Sequence, residues 1–249
     1  MLDHVREQLL VQAQENLIAA GQNRYPGRLL VIGVDETGQR LIQILGITVR
    51  SAPNQNRVLT RGTDGRVFTE FADPSQVTGN PELLLYDAML ERKDVYIVGN
   101  GKHTGPLLAD VGSIIDWTYE KDSSSTPRIF AAYQCQNDRE PHFVVGILRK
   151  SLFDDSCDRD LLTCESVGPG FGWLISTYDK DGNPPPSFSR RPILMPLRGT
   201  IDEIMTTYWY ILDPEYRVAL AVKSAPLDGN GPSNVCTMNK KRRVQAPQA

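Results

Sequence analysis

The sequence predicts an α+β protein in which a few helices pack outside layered sheet. Three observations predict it. Apolar stretches of strand length, many of them rich in β-branched residues, recur along most of the 249 residues. Clusters of Gly, Pro, Asn, Asp and Ser separate them, as turns require. Amphipathic helical stretches are few, and elements in that proportion pack as helices over sheet.

The first element is helical. Leu2, Val5, Leu9, Ala13 and Leu17 recur at helical spacing, so residues 2–20 read as an amphipathic helix ended by Gly21. Its apolar stripe docks either on its own domain or on a second copy in a homo-oligomer, and the sequence leaves both open. RLLVIGV and RLIQILGITV then flank Asp35-Glu36-Thr37-Gly38 as a hairpin, and RVLTRG and RVFTEFA flank Thr63-Asp64-Gly65 as a second. DVYIVGN, RIFAAYQ, HFVVGILRK, FGWLISTYD, PILMPL and YRVALAVK supply further strands. Helices are expected over 107–117 and 201–212. Thr200 and Glu203 fit a capping box at the start of the latter, and Pro214 lies just past its end. Residues 179–189, DKDGNPPPSFS, form a loop, and the strands on either side of it look like parts of one sheet. From Ser224 the chain is polar and reaches Lys240-Lys241-Arg242-Arg243, a tail expected to be solvated and mobile. The organisation is therefore a helical extension over 1–22, one domain over 23–223 and a tail over 224–249.

A content of 40% hydrophobic and 23% charged residues is that of a soluble globular protein, large enough for a core without disulfide or metal staples. The net charge of -3 supplies no global field to recruit nucleic acid or an anionic membrane, while a local basic pocket for one phosphate remains compatible with it. Cys135, Cys157, Cys164 and Cys236 match no zinc spacing and read as reduced thiols. The amino-terminal segment lacks the apolar core of a signal peptide, and no apolar run approaches the roughly 18 residues of a membrane span. A soluble intracellular protein is expected.

Four polar clusters stand where strands should end: 23–28, 50–57, 100–104 and 119–128. Loops on a rigid sheet are where binding residues concentrate, although turns use the same residue types. Their order is more specific than any one of them. Tyr25-Pro26-Gly27-Arg28 precedes the first strand, and Arg50-Ser51 through Asn56-Arg57 follows the second. Then come Asn80-Pro81 with Tyr86, Asn100-Gly101 with Thr104, and Tyr119-Glu120-Lys121-Asp122 ending in Thr126-Pro127-Arg128-Ile129. Residues 176–188 read STYDKDGNPPPSF. In this order the motifs resemble those of the archaeal-type IMP cyclohydrolases, and especially their bacterial branch, from about Asn23 to Val222.

The resemblance implies a four-layer αββα sandwich like that of N-terminal-nucleophile hydrolases. The chain opens Met1-Leu2 before a helix, so the nucleophile of those hydrolases is not expected. The implied activity is dehydrative closure of formyl-AICAR to IMP by a cytoplasmic enzyme, with a small purine-nucleotide precursor as partner. Here the carboxamide nitrogen attacks the formyl carbon and water is lost. A carboxamide nitrogen is a poor nucleophile, so positioning removes much of the barrier. The formyl oxygen gains charge and needs donors, and protons must leave the nitrogen and reach the departing hydroxyl. This chemistry calls for no cofactor and no metal. The sequence agrees, with no P-loop, no dinucleotide fingerprint and no convincing set of metal ligands.

Arg50 and Arg57 suit the phosphate, because guanidinium forks match its oxygens and stay charged. Arg28, Ser51, Asn56 and Tyr119, from the same motifs, join them as substrate-binding candidates. Tyr86 matches the family's catalytic tyrosine and Glu120 the family glutamate, the proton-transfer candidate. In an extended segment Glu120 and Asp122 face one way and Lys121, a third catalytic candidate, the other. Asn100 is expected to hold the base or carboxamide, Lys102 and Asp122 join the substrate-binding candidates, and Arg128 is expected to add an anion contact. His103 is expected as an oxyanion donor or proton carrier, since an ordinary imidazole titrates near neutrality. Two departures stand out: Thr104-Gly105-Pro106 replaces the family's Thr-Asp-Thr, and Val49 replaces a Gly before the Arg-Ser pair. They leave open a drifted orthologue, a related cyclisation on a different amide, and a noncatalytic nucleotide binder.

Overall fold

A computed structural model describes residues 2–77, 80–92, 95–135 and 141–244. The chain begins with α1 (Leu2–Gln22), followed by the hairpin of β1 (Arg28–Val34) and β2 (Arg40–Thr48). A second hairpin joins β3 (Arg57–Arg61) to β4 (Val67–Phe71). One turn of helix, α2 (Pro81–Leu84), leads into β5 (Asp87–Arg92) and β6 (Val95–Gly99). Asp94 of the strand predicted there lies outside the described residues. Next come α3 (Thr104–Ala109), β7 (Arg128–Gln134), β8 (His142–Lys150), β9 (Cys157–Cys164), β10 (Phe171–Ser176) and β11 (Ile193–Pro196). α4 (Ile201–Ile211), β12 (Arg217–Pro226) and β13 (Asn234–Asn239) complete the order.

The strands form two antiparallel sheets, ordered β11-β10-β1-β2-β12-β13 and β3-β4-β5-β6-β7-β8-β9. Alternation along each strand explains the layering. Leu30, Ile32, Leu45, Ile47, Ala219 and Ala221 of the first sheet meet Val98, Ala131, Val145 and Ile147 of the second in one core. The other face of the first sheet, with Leu29, Val31, Ile44 and Leu220, takes Leu17 of α1 and Ile204, Met205 and Tyr208 of α4. The outer face of the second sheet, with Ile97, Phe130 and Val144, takes Leu107 and Ile114. Central strands covered on both sides read as continuous apolar runs, which is why RLLVIGV lacks a polar alternate. The pairing of β10 with β11 bears out the expectation that the strands beside the 179–189 loop share a sheet. The Thr200–Glu203 capping box is present, with both reciprocal bonds.

Several expectations are corrected. Of the predicted stripe of α1, Ala13 and Leu17 are buried while Val5 and Leu9 are exposed, and Gly21 sits inside the last turn. The helix docks on its own domain, against β11 and α4, and Asn16 Nδ2 donates to Leu194 O at 2.9 Å. The helix predicted over 107–117 is α3 followed by a 3₁₀ segment, Val111–Asp116. Asp110 breaks it, because its extended backbone lets the carboxylate accept from Gly112 N. The polar segment after Ser224 completes β12 and adds β13 at the sheet edge, pairing Val222 with Cys236. Its basic run is anchored too: Lys240 Nζ donates to Glu215 O at 2.7 Å and Arg243 pairs with Glu70 at 3.0 Å. Residues 245–249 of the expected tail lie outside the described residues. Among the described residues no helix is long and apolar enough to cross a membrane.

At one end of the sandwich both sheets deliver strand termini to one place. Arg28 opens β1 beside Thr177, just past β10, because Leu29 registers with Ser176. Asn100 ends β6 beside the start of β7, where Gly99 registers with Phe130.

Candidate active site

A cavity of about 420 Å³ opens at that end, with Arg28, Arg57, Asn100, Glu120 and Asp122 among the residues lining it. Five of the residues singled out in the sequence therefore meet, from β1, β3, the end of β6 and the 119–128 loop. Tyr86 reaches the same wall from behind, its hydroxyl accepting from Arg28 Nε at 3.1 Å.

The first wall is cationic. Gly27 has a φ of +69°, and a side chain there would strike the Tyr178 ring, so glycine lets the chain turn tightly into Arg28. Arg28 Nη1 donates to Gly27 O at 3.1 Å. Arg57 is 3% exposed, and its Nε donates to Asn54 O at 3.1 Å, while Nη1 is buried with no protein acceptor. Among the described residues no carboxylate forms an ion pair with either arginine. Burial, with the neighbouring charge of Arg28, pushes Arg57 down to about 9. Two desolvated guanidiniums without a counter-charge make a place for an anion.

The cavity also holds a carboxyl group. Glu120 Oε1 accepts from Arg128 Nη2 at 2.9 Å, with both side chains 14% exposed. Burial pushes the Glu120 carboxyl above its ordinary value, against the pull of Arg128. Asp122 shapes the loop rather than facing a ligand freely: its carboxylate accepts from Ser124 N, Thr126 N and Thr126 Oγ1. Asn100 clips the two strands, donating to Pro127 O at 2.9 Å and accepting from Ile129 N at 2.8 Å.

Other candidates stand apart from the cavity. Arg50, expected beside Arg57 on a phosphate, lies over the Tyr25 ring at 4.1 Å and pairs with Asp181 at 2.5 Å. Asn56 is buried and clamps the following turn through Asp73 O and Gln76 O. Tyr119 is buried with its hydroxyl on Asp155 O, while Lys121 and Ser51 are exposed. Lys102 pairs with Glu82 at 3.7 Å on the surface. Sequence reasoning passed over Tyr25, Thr177 and Tyr178, which line the cavity. The Tyr25 and Tyr178 rings stack at 5.4 Å, and both belong to motifs already recognised, so that motif context was the available signal.

His103 corrects its expectation. It is fully buried, and burial together with the Arg128 charge pushes it down to about 3. Its Nε2 lies 3.1 Å from Ile129 O, a group that only accepts, so Nε2 carries the proton and Nδ1 is an acceptor. An imidazole held neutral in this way would neither carry protons near neutrality nor donate to an oxyanion from Nδ1. In ¹⁵N NMR, His103 is expected to keep the neutral Nε2–H tautomer across about pH 5–8, the range where an ordinary histidine titrates. A titration within that range would return it to the proton-transfer candidates.

A family model described as IMP cyclohydrolase-like protein matches residues 25–229. Among curated proteins, the IMP cyclohydrolase of Methanothrix thermoacetophila is 29% identical over 174 residues, which cover 66% of this chain and 78% of that protein.

Proposed function

We propose, from the premise that this chain belongs to the IMP cyclohydrolase-like family, that it closes the purine ring of IMP by dehydrating formyl-AICAR. One observation carries the reading: a single cavity brings together Arg28 and Arg57, neither ion-paired to a carboxylate among the described residues, and the carboxyl group of Glu120. Arg28 and Arg57 would take the 5′-phosphate, with Tyr86 fixing the Arg28 fork. The formyl and carboxamide groups then lie toward Glu120. Holding them in contact supplies much of the acceleration, because the amide nitrogen is a weak nucleophile.

Glu120 serves both steps. In the first, the amide nitrogen bonds to the formyl carbon. The acid gives its proton to the formyl oxygen, and the resulting carboxylate takes one from the nitrogen. In the second, Glu120 protonates the new hydroxyl as its C–O bond breaks. Water leaves, and the carboxylate recovers a proton from the former formamide nitrogen as the C=N bond forms. The acid is regenerated each time, and Arg128 steadies the transient carboxylate. The helix, sheet, sheet, helix layering supports, as part of this proposal, the likeness to N-terminal-nucleophile hydrolases.

The test is direct. Purified protein mixed with formyl-AICAR, without ATP or folate, is expected to give IMP by chromatography well above the uncatalysed rate. No IMP above that rate overturns this substrate and favours a related cyclisation on a different amide.

A further inference from the structure

His103, Gly101 and Glu120 meet in an arrangement that the chemistry above leaves unused. His103 spends Nε2–H on the Ile129 carbonyl, and its Nδ1 lone pair is buried with no protein donor. A buried acceptor left unpaired costs free energy, so native proteins give such atoms a partner. Nδ1 faces Gly101, which is itself buried: a Cβ placed on Gly101 would lie 3.2 Å from Nδ1 and 3.9 Å from Glu120 Oε2. Since Arg128 occupies Oε1, Oε2 is the oxygen turned toward this bay. Gly101 does not have a left-handed backbone, so glycine is not needed there for its conformational freedom. Its lack of a side chain keeps the approach between Nδ1 and the Glu120 carboxyl open, where a Cβ would press on the His103 ring.

We infer that Gly101, His103 and Glu120 frame a one-water site, and that this site receives the water eliminated during turnover. The bound water donates to His103 Nδ1, which only accepts. Its lone pairs are thereby turned toward Glu120, which donates to it when protonated, and the water's second hydrogen serves the carboxylate after proton transfer. The bond donated to the carboxylate is charge-assisted and the stronger of the two, so the water steadies the carboxylate that each proton transfer leaves. Arg128, Asp122, Arg28 and Lys102 are the charged groups around Glu120, and Arg128 is the charge facing His103, beside the Trp117 ring. Arg128 excludes a second positive charge at His103, so Nδ1 stays an acceptor. His103 is thus a positioning residue, acting on the substrate through water and Glu120. The role in turnover rests on the cyclohydrolase reading above, while the water site itself does not.

Gly101→Ala closes this approach with a methyl group without backbone strain, at the cost of a tight 3.2 Å contact with the His103 ring. It is expected to lower kcat roughly tenfold, the loss of about one hydrogen bond, while leaving IMP affinity nearly unchanged. The alkaline limb of the kcat–pH profile should move to higher pH, because the carboxylate form of Glu120 loses its donor. A crystal structure of the full-length parent should show an ordered water within about 3.2 Å of both Nδ1 and Oε2, absent from Gly101→Ala. No such water in the parent overturns the site, and this arm decides even if the variant fails to fold. Parental kcat and pH profile in a folded Gly101→Ala overturn the role in turnover. Water present in a parent that does not convert formyl-AICAR upholds the site and overturns the substrate reading alone.

Discussion

Glu120→Gln is expected to lower kcat for IMP formation by about 100- to 10,000-fold, the usual cost of losing a well-placed proton-transfer group. The amide keeps the carboxyl's size but neither gives nor takes the proton in either step. On the proposed reading Arg28 and Arg57 hold the phosphate, so IMP affinity should change little, and this split between kcat and binding separates an enzyme from a nucleotide-binding module. The amide can still accept from Arg128 but carries no charge to offset it, so melting temperature must be followed beside activity. Glu120→Gln with Arg128→Met removes both charges and controls for that. The pH dependence has a definite sign. The Glu120 carboxyl lies above its ordinary value in the folded protein, so its contribution to stability is complete below the ordinary carboxylate range. That contribution is lost as pH rises through the raised value. The activity of the parent should fall on the same limb, as the acid is consumed, while Glu120→Gln should show no such limb in stability. Parental kcat in the folded variant removes Glu120 from the reaction and leaves the family's chemistry to another group.

The sequence was most legible where a strand is covered on both faces. RLLVIGV, RIFAAYQ and HFVVGILRK are continuous apolar runs, because each lies between the inter-sheet core and an outer layer. β9 was not legible for the opposite reason. As an edge strand, CDRDLLTC has most of its residues exposed or half-buried, and edges carry charge rather than apolar periodicity. β13 is the edge of the other sheet and read as tail. The site divides along similar lines. Motif order brought out Arg28, Arg57, Asn100 and Glu120, and the fold brings all four to one cavity. It did not separate ligand-facing residues from residues that build the loops. Asn56, Asp122 and Asn100 are polar residues at strand ends whose side chains are largely taken up by backbone groups. Turns and pockets draw on the same residue types, so only partners tell them apart. Arg50 shows the same limit: Asp181, with which it pairs, is distant in sequence and comes near through the 179–189 loop.

Arg57→Met is expected to weaken IMP binding by roughly 1.5–3 kcal/mol, the range for hydrogen bonds to charged groups, or about ten- to a hundredfold in Kd. Arg57 presents a buried Nη1 with no protein acceptor, beside Arg28 and with no ion-paired carboxylate. In the unliganded protein that arrangement is a cost, since a buried donor without a partner forfeits about 1–3 kcal/mol. The variant should therefore melt at or above the parent's temperature without ligand, whereas an arginine that served the fold would lower it. Inorganic phosphate should raise the melting temperature of the parent and not of Arg57→Met, because only a ligand of the folded state stabilises by mass action. Arg50→Ala provides the contrast. Its ion pair with Asp181 has side chains 31% and 37% exposed, and such pairs are worth about 0–1 kcal/mol, so IMP affinity should move by less than about fivefold. Inosine, which lacks the phosphate, should bind the parent poorly and respond to neither change. Calorimetry with IMP and inosine on the three proteins decides. Equal affinities for the two ligands would mean that the pocket does not read a phosphate, and the pair Arg28 and Arg57 would then have to face a carboxylate or another anion on a substrate that is not a nucleotide.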